Sequence, residues 1–271
     1  MPKTQSRKNP QASLHREASQ VSASANKNPR LNKAIAQRGL CSRRKADELI
    51  FQGKVKVNGQ TVLDPSCRIA ENDLLEVSGQ KLSLVQKPVY LMLHKPIQTV
   101  STANDPEGRT TVLDLLPEQF RSMRLFPIGR LDYFSEGLLL ITNDGDLANS
   151  LMHPSFHLPK TYHVTVRGFV PKESLARMQK GMRLSDGTQL LPVPVHATCL
   201  GHNTTLLCMT LHQGINRQIR KMCEQENLTI LKLVRVAYGP LKLGDLALGQ
   251  VRELTARELE ELSIARQDPK A

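Results

Sequence analysis

Between Phe134-Ser135-Glu136-Gly137 and Asn143-Asp144-Gly145 lies Leu138-Leu139-Leu140-Ile141-Thr142, a continuous apolar run bounded by turn-forming residues. No other stretch constrains the fold as much. Its length is that of a strand, and with no polar alternation it suits a strand buried on both faces. Such a strand needs a sheet around it and packed layers above and below. Further strand signals lie on either side. Val89 to His94 reads as a strand, and Thr161 to Arg167 alternates with Tyr162, Val164 and Val166 on one face. Helical patterns intervene: Pro171 to Lys180 stops at Gly181, and Thr255 with Glu258 forms a capping box for a C-terminal helix. Strands and helices do not follow a regular βαβ repeat. The expected class is α+β, with a mixed, mainly antiparallel sheet.

A second, smaller unit precedes this region. Leu31, Ala34 and Ile35 give a helical face that ends at Gly39. Ser42 can cap a second helix with apolar positions Ala46, Leu49 and Ile50, ending at Gly53. Then Lys54 to Val57 and Gln60 to Leu63 alternate around Asn58-Gly59, a strong hairpin signal, and a third strand follows near Asp73 to Val77. The expected organisation is a small αα-β module at 30–80, a polar linker at 81–88, a larger domain at 89–262 and a tail at 263–271. Residues 1–29 have almost no large apolar side chains; between Met1 and Arg30, Lys3, Arg7, Lys8, Arg16, Lys27 and Arg30 face the single acid Glu17. That composition cannot bury a core, so a disordered basic arm is expected.

Charge narrows the class of partner. The formal net charge is +12, and a strong basic excess favours a polyanion, because Lys and Arg that neutralise phosphates release counterions. Aromatic residues are only 4% with no Trp, which argues against a broad base-stacking platform. No apolar run approaches a membrane span, and the N-terminus has no apolar h-region. Cys41, Cys67, Cys199, Cys208 and Cys223 are scattered, odd in number and without a C-x-x-C pair, which points to reduced thiols in a cytoplasmic protein. His153 and His157 have the spacing of a zinc pair, but Pro154 works against a helix there, so no metal is expected. G-x-G-x-x-G, P-loop and H-E-x-x-H motifs are absent, and Phe134-Ser135-Glu136-Gly137 lacks the first Gly of a nucleophile elbow.

The chemistry-bearing segment is Gly129-Arg130-Leu131-Asp132-Tyr133, just ahead of the buried run. A carboxylate on a loop held by a rigid strand can act as nucleophile or base, and a nearby Arg can aim it. Read from these residues alone, Arg130 and Asp132 fit a structural turn salt bridge at least as simply. In the first module, Arg43, Arg44 and Lys45 cluster at a helix start, against the helix dipole; a phosphate ligand would relieve that conflict, and a solvated basic face would tolerate it. Farther on, Ile215, Ile219 and Met222 fall on one face of a helical pattern, with Arg217, Arg220 and Lys221 on another.

Taken together, Gly129-Arg130-Leu131-Asp132, Ser135-Glu136-Gly137-Leu138-Leu139-Leu140 and Thr142-Asn143-Asp144-Gly145 resemble the signature of the ribosomal RNA pseudouridine synthases. Lys160-Thr161-Tyr162-His163-Val164 and Gln213-Gly214-Ile215-Asn216-Arg217-Gln218-Ile219-Arg220-Lys221-Met222-Cys223 resemble two further motifs of that family. Arg30 to Gly79, through Gly39-Leu40-Cys41-Ser42-Arg43-Arg44-Lys45 and Val57-Asn58-Gly59, is similar to the S-four-like RNA-binding module that precedes one branch of it. The resemblance implies isomerisation of a specific uridine to pseudouridine in ribosomal RNA, with the large subunit favoured over the small. It implies Asp132 as nucleophile, Arg130 as its pairing residue and Tyr162 against the base with a role in proton transfer. Lys160, Asn216, Arg217 and Lys221 would meet RNA or line the site, Arg220 would contact the Asp or the substrate, and Arg43, Arg44 and Lys45 would meet RNA. Gln213, Lys221 and Asn227 depart from the commoner Glu, Arg and Gly. No cofactor is implied, and the expected partner is ribosomal RNA or an assembly intermediate met by a monomer. Two alternatives stay open: a non-catalytic ribosome-assembly protein, and a carboxylate-dependent RNA hydrolase that would draw on Glu136 or Asp144.

Overall fold

The computed structural model describes residues 28–83, 85–153 and 158–267. The chain divides into two compact units, one ending at Lys87 and one beginning at Pro88. The first contains α1 (Leu31–Gln37), α2 (Arg43–Phe51), β1 (Val55–Val57), β2 (Gln60–Thr61), β3 (Leu75–Val77) and β4 (Gln80–Lys81), with the strands in the order β2-β1-β3-β4. Local chemistry accounts for its outline. Gly39 closes α1 at φ +82°, and the Ser42 hydroxyl accepts the Lys45 N–H at 3.0 Å to start α2. Asn58 and Gly59 both take positive φ, the requirement of a tight two-residue hairpin. Leu31, Ala34, Ile35, Ala46, Ile50, Val55, Ile69, Leu75 and Val77 form one buried core.

The second unit contains β5 (Tyr90–Lys95), α3 (Glu118–Arg121), β6 (Phe126–Ile128), β7 (Glu136–Thr142), α4 (Gly145–Met152), β8 (Lys160–Arg167), α5 (Lys172–Lys180), β9 (Val195–Gly201), β10 (Thr204–Leu211), α6 (Gln218–Gln225), β11 (Ile230–Tyr238), β12 (Leu241–Lys242), β13 (Val251–Glu253) and α7 (Ala256–Gln267). One nine-stranded sheet runs β13-β5-β7-β11-β8-β10-β9, with β6 on β7 and β12 on β11. Among the described pairs only β7 and β11 are parallel. The sheet is therefore mixed and mainly antiparallel, as the sequence leads one to expect. The apolar run is β7, near its centre. Leu138 and Leu140 enter one core with Tyr238 and Leu241, while Leu139 and Ile141 enter another with Leu91, Leu93 and Val112. That double burial is why no polar residue interrupts it.

Two boundaries differ from the sequence reading. The C-terminal helix runs to Gln267, five residues past the expected end of the domain at Leu262, because Leu262 is 1% exposed and Ala265 packs on the same core. Its capping box forms as expected, with Glu258 N–H donating to Thr255 Oγ1 at 3.2 Å and Thr255 N–H to Glu258 Oε2 at 2.9 Å. The basic helix begins only at Gln218; Ile215 still packs on the core, but from the loop ahead of it. The reason lies at Arg217, whose φ of +54° is left-handed and incompatible with a continuing right-handed helix. At the other end Asn227 takes φ +55°, the turn that a Gly would otherwise supply. The basic arm lies outside the described residues except for its last two positions, as does His157.

Candidate active site

The loop from Gly129 to Ser135 precedes β7, and it is fastened at nearly every residue. Leu131, 7% exposed, anchors it in the core. Ser101 Oγ donates to the Leu131 carbonyl at 2.9 Å and accepts the Leu131 N–H at 3.1 Å. Gln98 N–H donates to the Tyr133 carbonyl at 2.7 Å. Beneath the loop, Lys95 is wholly buried, and its ammonium donates to the carbonyls of Pro96, Asp132 and Ser135 at 2.8, 3.1 and 2.9 Å. The Asp132 backbone is thus pinned while its side chain stays partly exposed.

The ionic partner of that side chain is Arg220 on α6, at 3.4 Å from Nε to Oδ2. The same guanidinium donates from Nη2 to the Phe134 carbonyl at 2.8 Å and to Ser135 Oγ at 3.1 Å. Arg220 therefore braces loop and carboxylate together. A cleft of about 970 Å³ opens at Asp132, lined also by Arg130, Tyr162, Lys160, Asn216, Arg217 and Arg220. Arg130 is exposed and has no ion pair or hydrogen bond among the described residues. The role assigned to Arg130 from sequence, pairing with Asp132, is occupied in this structure by Arg220. The two-residue spacing does not bring Arg130 and Asp132 together, because Leu131 turns into the core between them. Tyr162, on β8, packs its ring against buried residues of two cores, and its hydroxyl makes no hydrogen bond among the described residues. Asn216 and Arg217 are exposed.

Lys221 is not among the cleft residues. It turns the other way on α6 and pairs with Asp186 at 2.7 Å. In the first unit Arg43, Arg44 and Lys45 are exposed at the start of α2, and Lys45 pairs with Glu48 at 2.7 Å. Asp144 and Glu136 have structural work. Asp144 caps α4 by accepting the Asp146 and Leu147 N–H groups at 2.9 and 3.0 Å, while Glu136 pairs with Lys232 at 3.2 Å. Neither lines the cleft.

Two buried cations went unrecognised in the sequence. Lys95 lies one residue past the strand read from Val89 to His94 and ends that strand in the structure. Arg235 lies on β11 and is 3% exposed, in phase with Leu233 on an inward-facing face. A cation on the buried phase of a strand is a legible signal, although it says nothing about what the cation meets. Burial pushes the Lys95 ammonium down to about 8, against the pull of Asp132 and Glu136. Burial likewise pushes Lys160 down to about 8, with Arg235 adding repulsion. Replacing Lys95 by Met should lower stability by about 2 kcal/mol at neutral pH, since stranded carbonyls outweigh the relief of removing a buried charge. Between about 8 and the ordinary lysine value of 10.5, the unfolded chain binds more protons than the folded one. Wild-type stability therefore rises with pH across that window relative to Lys95→Met. Urea unfolding of both proteins from pH 7 to 10 measures the gap, which should widen; a constant gap would contradict the burial of a titrating Lys95.

A pinned loop carboxylate, a guanidinium on it, and a tyrosine with a free hydroxyl share a cleft in a basic protein. Residues 89–225, about half of the chain, match the RNA pseudouridylate synthase family. The chain belongs to that family. It is thus an isomerase acting on RNA, and residues 29–75 of this synthase match the S4 domain. It is 43% identical over 239 residues to ribosomal large subunit pseudouridine synthase B of Bacillus subtilis, covering 86% of this chain and 95% of that protein. It is 39% identical over 238 residues to an RNA pseudouridine synthase of Aquifex aeolicus, covering 86% and 93%. A pseudouridylate synthase crystal structure, 28% identical, superposes with a TM-score of 0.61 over 86% of this chain and 99% of that one.

Proposed function

We propose that this synthase isomerises a uridine of large-subunit ribosomal RNA, with Asp132 as the nucleophile. The observation that carries the reading is the Asp132–Arg220 pair at 3.4 Å on a clamped loop, inside a cleft that also holds Tyr162. The large subunit is favoured by the 43% identical relative whose name specifies it. A duplex would hide the reacting atoms, so the target nucleotide is flipped out, its base against the Tyr162 ring. Asp132 then attacks C1′ or assists a glycal route, and the base turns and rejoins the sugar through C5. The proton lost from C5 is balanced by one gained at N1, with the Tyr162 hydroxyl free to assist. Arg130, Lys160, Asn216 and Arg217 meet the RNA around the cleft. The protein acts as a cytoplasmic monomer on free RNA or an assembly intermediate, with no cofactor.

A binding-only protein of this fold has no use for a carboxylate braced in a cleft. A hydrolase would need a second acid there, and neither Glu136 nor Asp144 lines the cleft. Mapping pseudouridines in ribosomal RNA from cells with and without the gene tests the substrate. One large-subunit site should disappear. Loss confined to the small subunit would move the substrate, and no loss at all would sink the reading.

The first unit serves as the RNA anchor, with Arg43 and Arg44 exposed to meet phosphates and Lys45 able to join them by leaving its exposed pair with Glu48. Phosphate contacts add affinity without reading sequence, and each contributes roughly 0.7–0.9 to the slope of log affinity against log salt. Deleting the chain through Gly79 should therefore weaken RNA binding and flatten that slope by about 2 or more. Filter-binding titrations at several salt concentrations measure both, and an unchanged slope would remove the unit from the RNA interface.

A further inference from the structure

Arg235 stands on β11, between β7, which follows Asp132, and β8, which carries Tyr162. Arg235 and Tyr162 are direct cross-strand partners, so both side chains leave the sheet on one face, and both line the cleft. The Arg235 Nε donates to the Leu138 carbonyl at 2.7 Å, while its buried Nη2 has no hydrogen-bond partner. Lys160 approaches from β8 and donates to the Leu158 carbonyl at 2.9 Å. Each cation lies 5.4 Å from the Tyr238 ring centroid, and neither has an ion pair among the described residues. Two like charges thus share the cleft floor without a carboxylate. Burying a guanidinium with an unmet donor is unfavourable for folding, and the Leu138 carbonyl and the Tyr238 ring offset that only in part.

The reaction supplies the missing anion. When the C1′–N1 bond breaks, its electron pair leaves with the base, giving a uracil anion delocalised over N1, O2 and O4. In direct attack an Asp132 oxygen bonds to C1′ as N1 departs; in the glycal route the pair leaves with the base in the same way. We propose that Arg235, supported by Lys160, stabilises this uracil anion from beneath the base held on Tyr162. The inference rests on the assignment of Asp132 and Tyr162 made above. Fixed charge in a floor shielded from water acts strongly where negative charge develops, and it needs no reorganisation at the moment of bond cleavage.

The test uses the full-length protein and the RNA fragment that the wild type modifies, under single-turnover conditions at saturating enzyme. Arg235→Met should leave RNA affinity within about threefold and lower the rate of glycosidic cleavage by about 100-fold, as loss of a preorganised donor does. Its melting temperature should hold or rise, because an incompletely partnered buried charge is replaced by an apolar chain. The second substrate carries 5-fluorouridine at the target, whose fluorine makes the departing base less basic. The loss caused by Arg235→Met should shrink at least about fivefold on that substrate, since a better leaving group depends less on stabilisation. Arg235→Gln, which keeps a donor for the Leu138 carbonyl and removes the charge, carries the same test if Arg235→Met does not fold. A rate within about threefold of wild type, or an equal loss on both leaving groups, overturns the proposal. A wild-type protein that rearranges neither substrate, or an Asp132→Asn variant that rearranges both, overturns the assignment of Asp132 instead.

Discussion

Asp132→Asn should abolish pseudouridine formation, lowering the single-turnover rate by about 10⁴-fold or more, the scale on which losing a nucleophile is felt. Asn is nearly isosteric and can still accept from Arg220 through its amide oxygen, so the loop should keep its shape. What disappears is the negatively charged oxygen that would bond to the sugar. The stability change should be small. The Asp132 side chain is 33% exposed and its pair with Arg220 is long at 3.4 Å, so the ion pair contributes about 1 kcal/mol or less. RNA affinity should stay within about threefold, because most of it comes from phosphate contacts elsewhere. Tritium release from C5-labelled RNA, beside a binding titration, separates the two effects. Full activity in this variant would falsify the role assigned to Asp132.

Gly137→Ala should damage the fold itself, lowering stability by about 4 kcal/mol or leaving the protein insoluble. Gly137 has φ +113°, a conformation that L side chains rarely adopt, and an added Cβ would run into the backbone of Arg235. Backbone atoms cannot rotate away as a side chain can. The contact falls where β7 and β11 pair in parallel, with Arg235 opposite Gly137 and Val234 opposite Glu136. Forcing the strands apart there would open the centre of the sheet and displace both Arg235 and the loop that carries Asp132. Thermal unfolding of the purified variant measures the effect; a loss under about 1 kcal/mol would mean that the two strands can separate freely.

Much of this protein was legible before its tertiary structure. The apolar run from Leu138 had to be buried on both faces, and Asn58-Gly59 had to turn a hairpin, because local chemistry leaves few alternatives. The capping box at Thr255 and the stop at Gly181 are equally local. Motifs at 129–145, 160–164 and 213–223 identified the chemistry by resemblance. Their residues alone could not separate a nucleophile from a turn salt bridge, since Arg130 and Asp132 are compatible with both.

Sequence by itself determined the element types, the two-unit organisation and the segment that carries the carboxylate. Tertiary structure decided which of the two cations that the resemblance offered, Arg130 and Arg220, sits on Asp132. Leu131 buries itself between Arg130 and Asp132, and α6 brings Arg220 to the carboxylate from 88 residues away. It also decided that Lys221 faces Asp186, and that Lys95 and Arg235 lie under the loop and the cleft. Contacts of that kind depend on strand order and register, which bring distant residues together and leave no trace in local spacing. Only the fold turned a loop carboxylate into one clamped from below by Lys95 and braced from the side by Arg220.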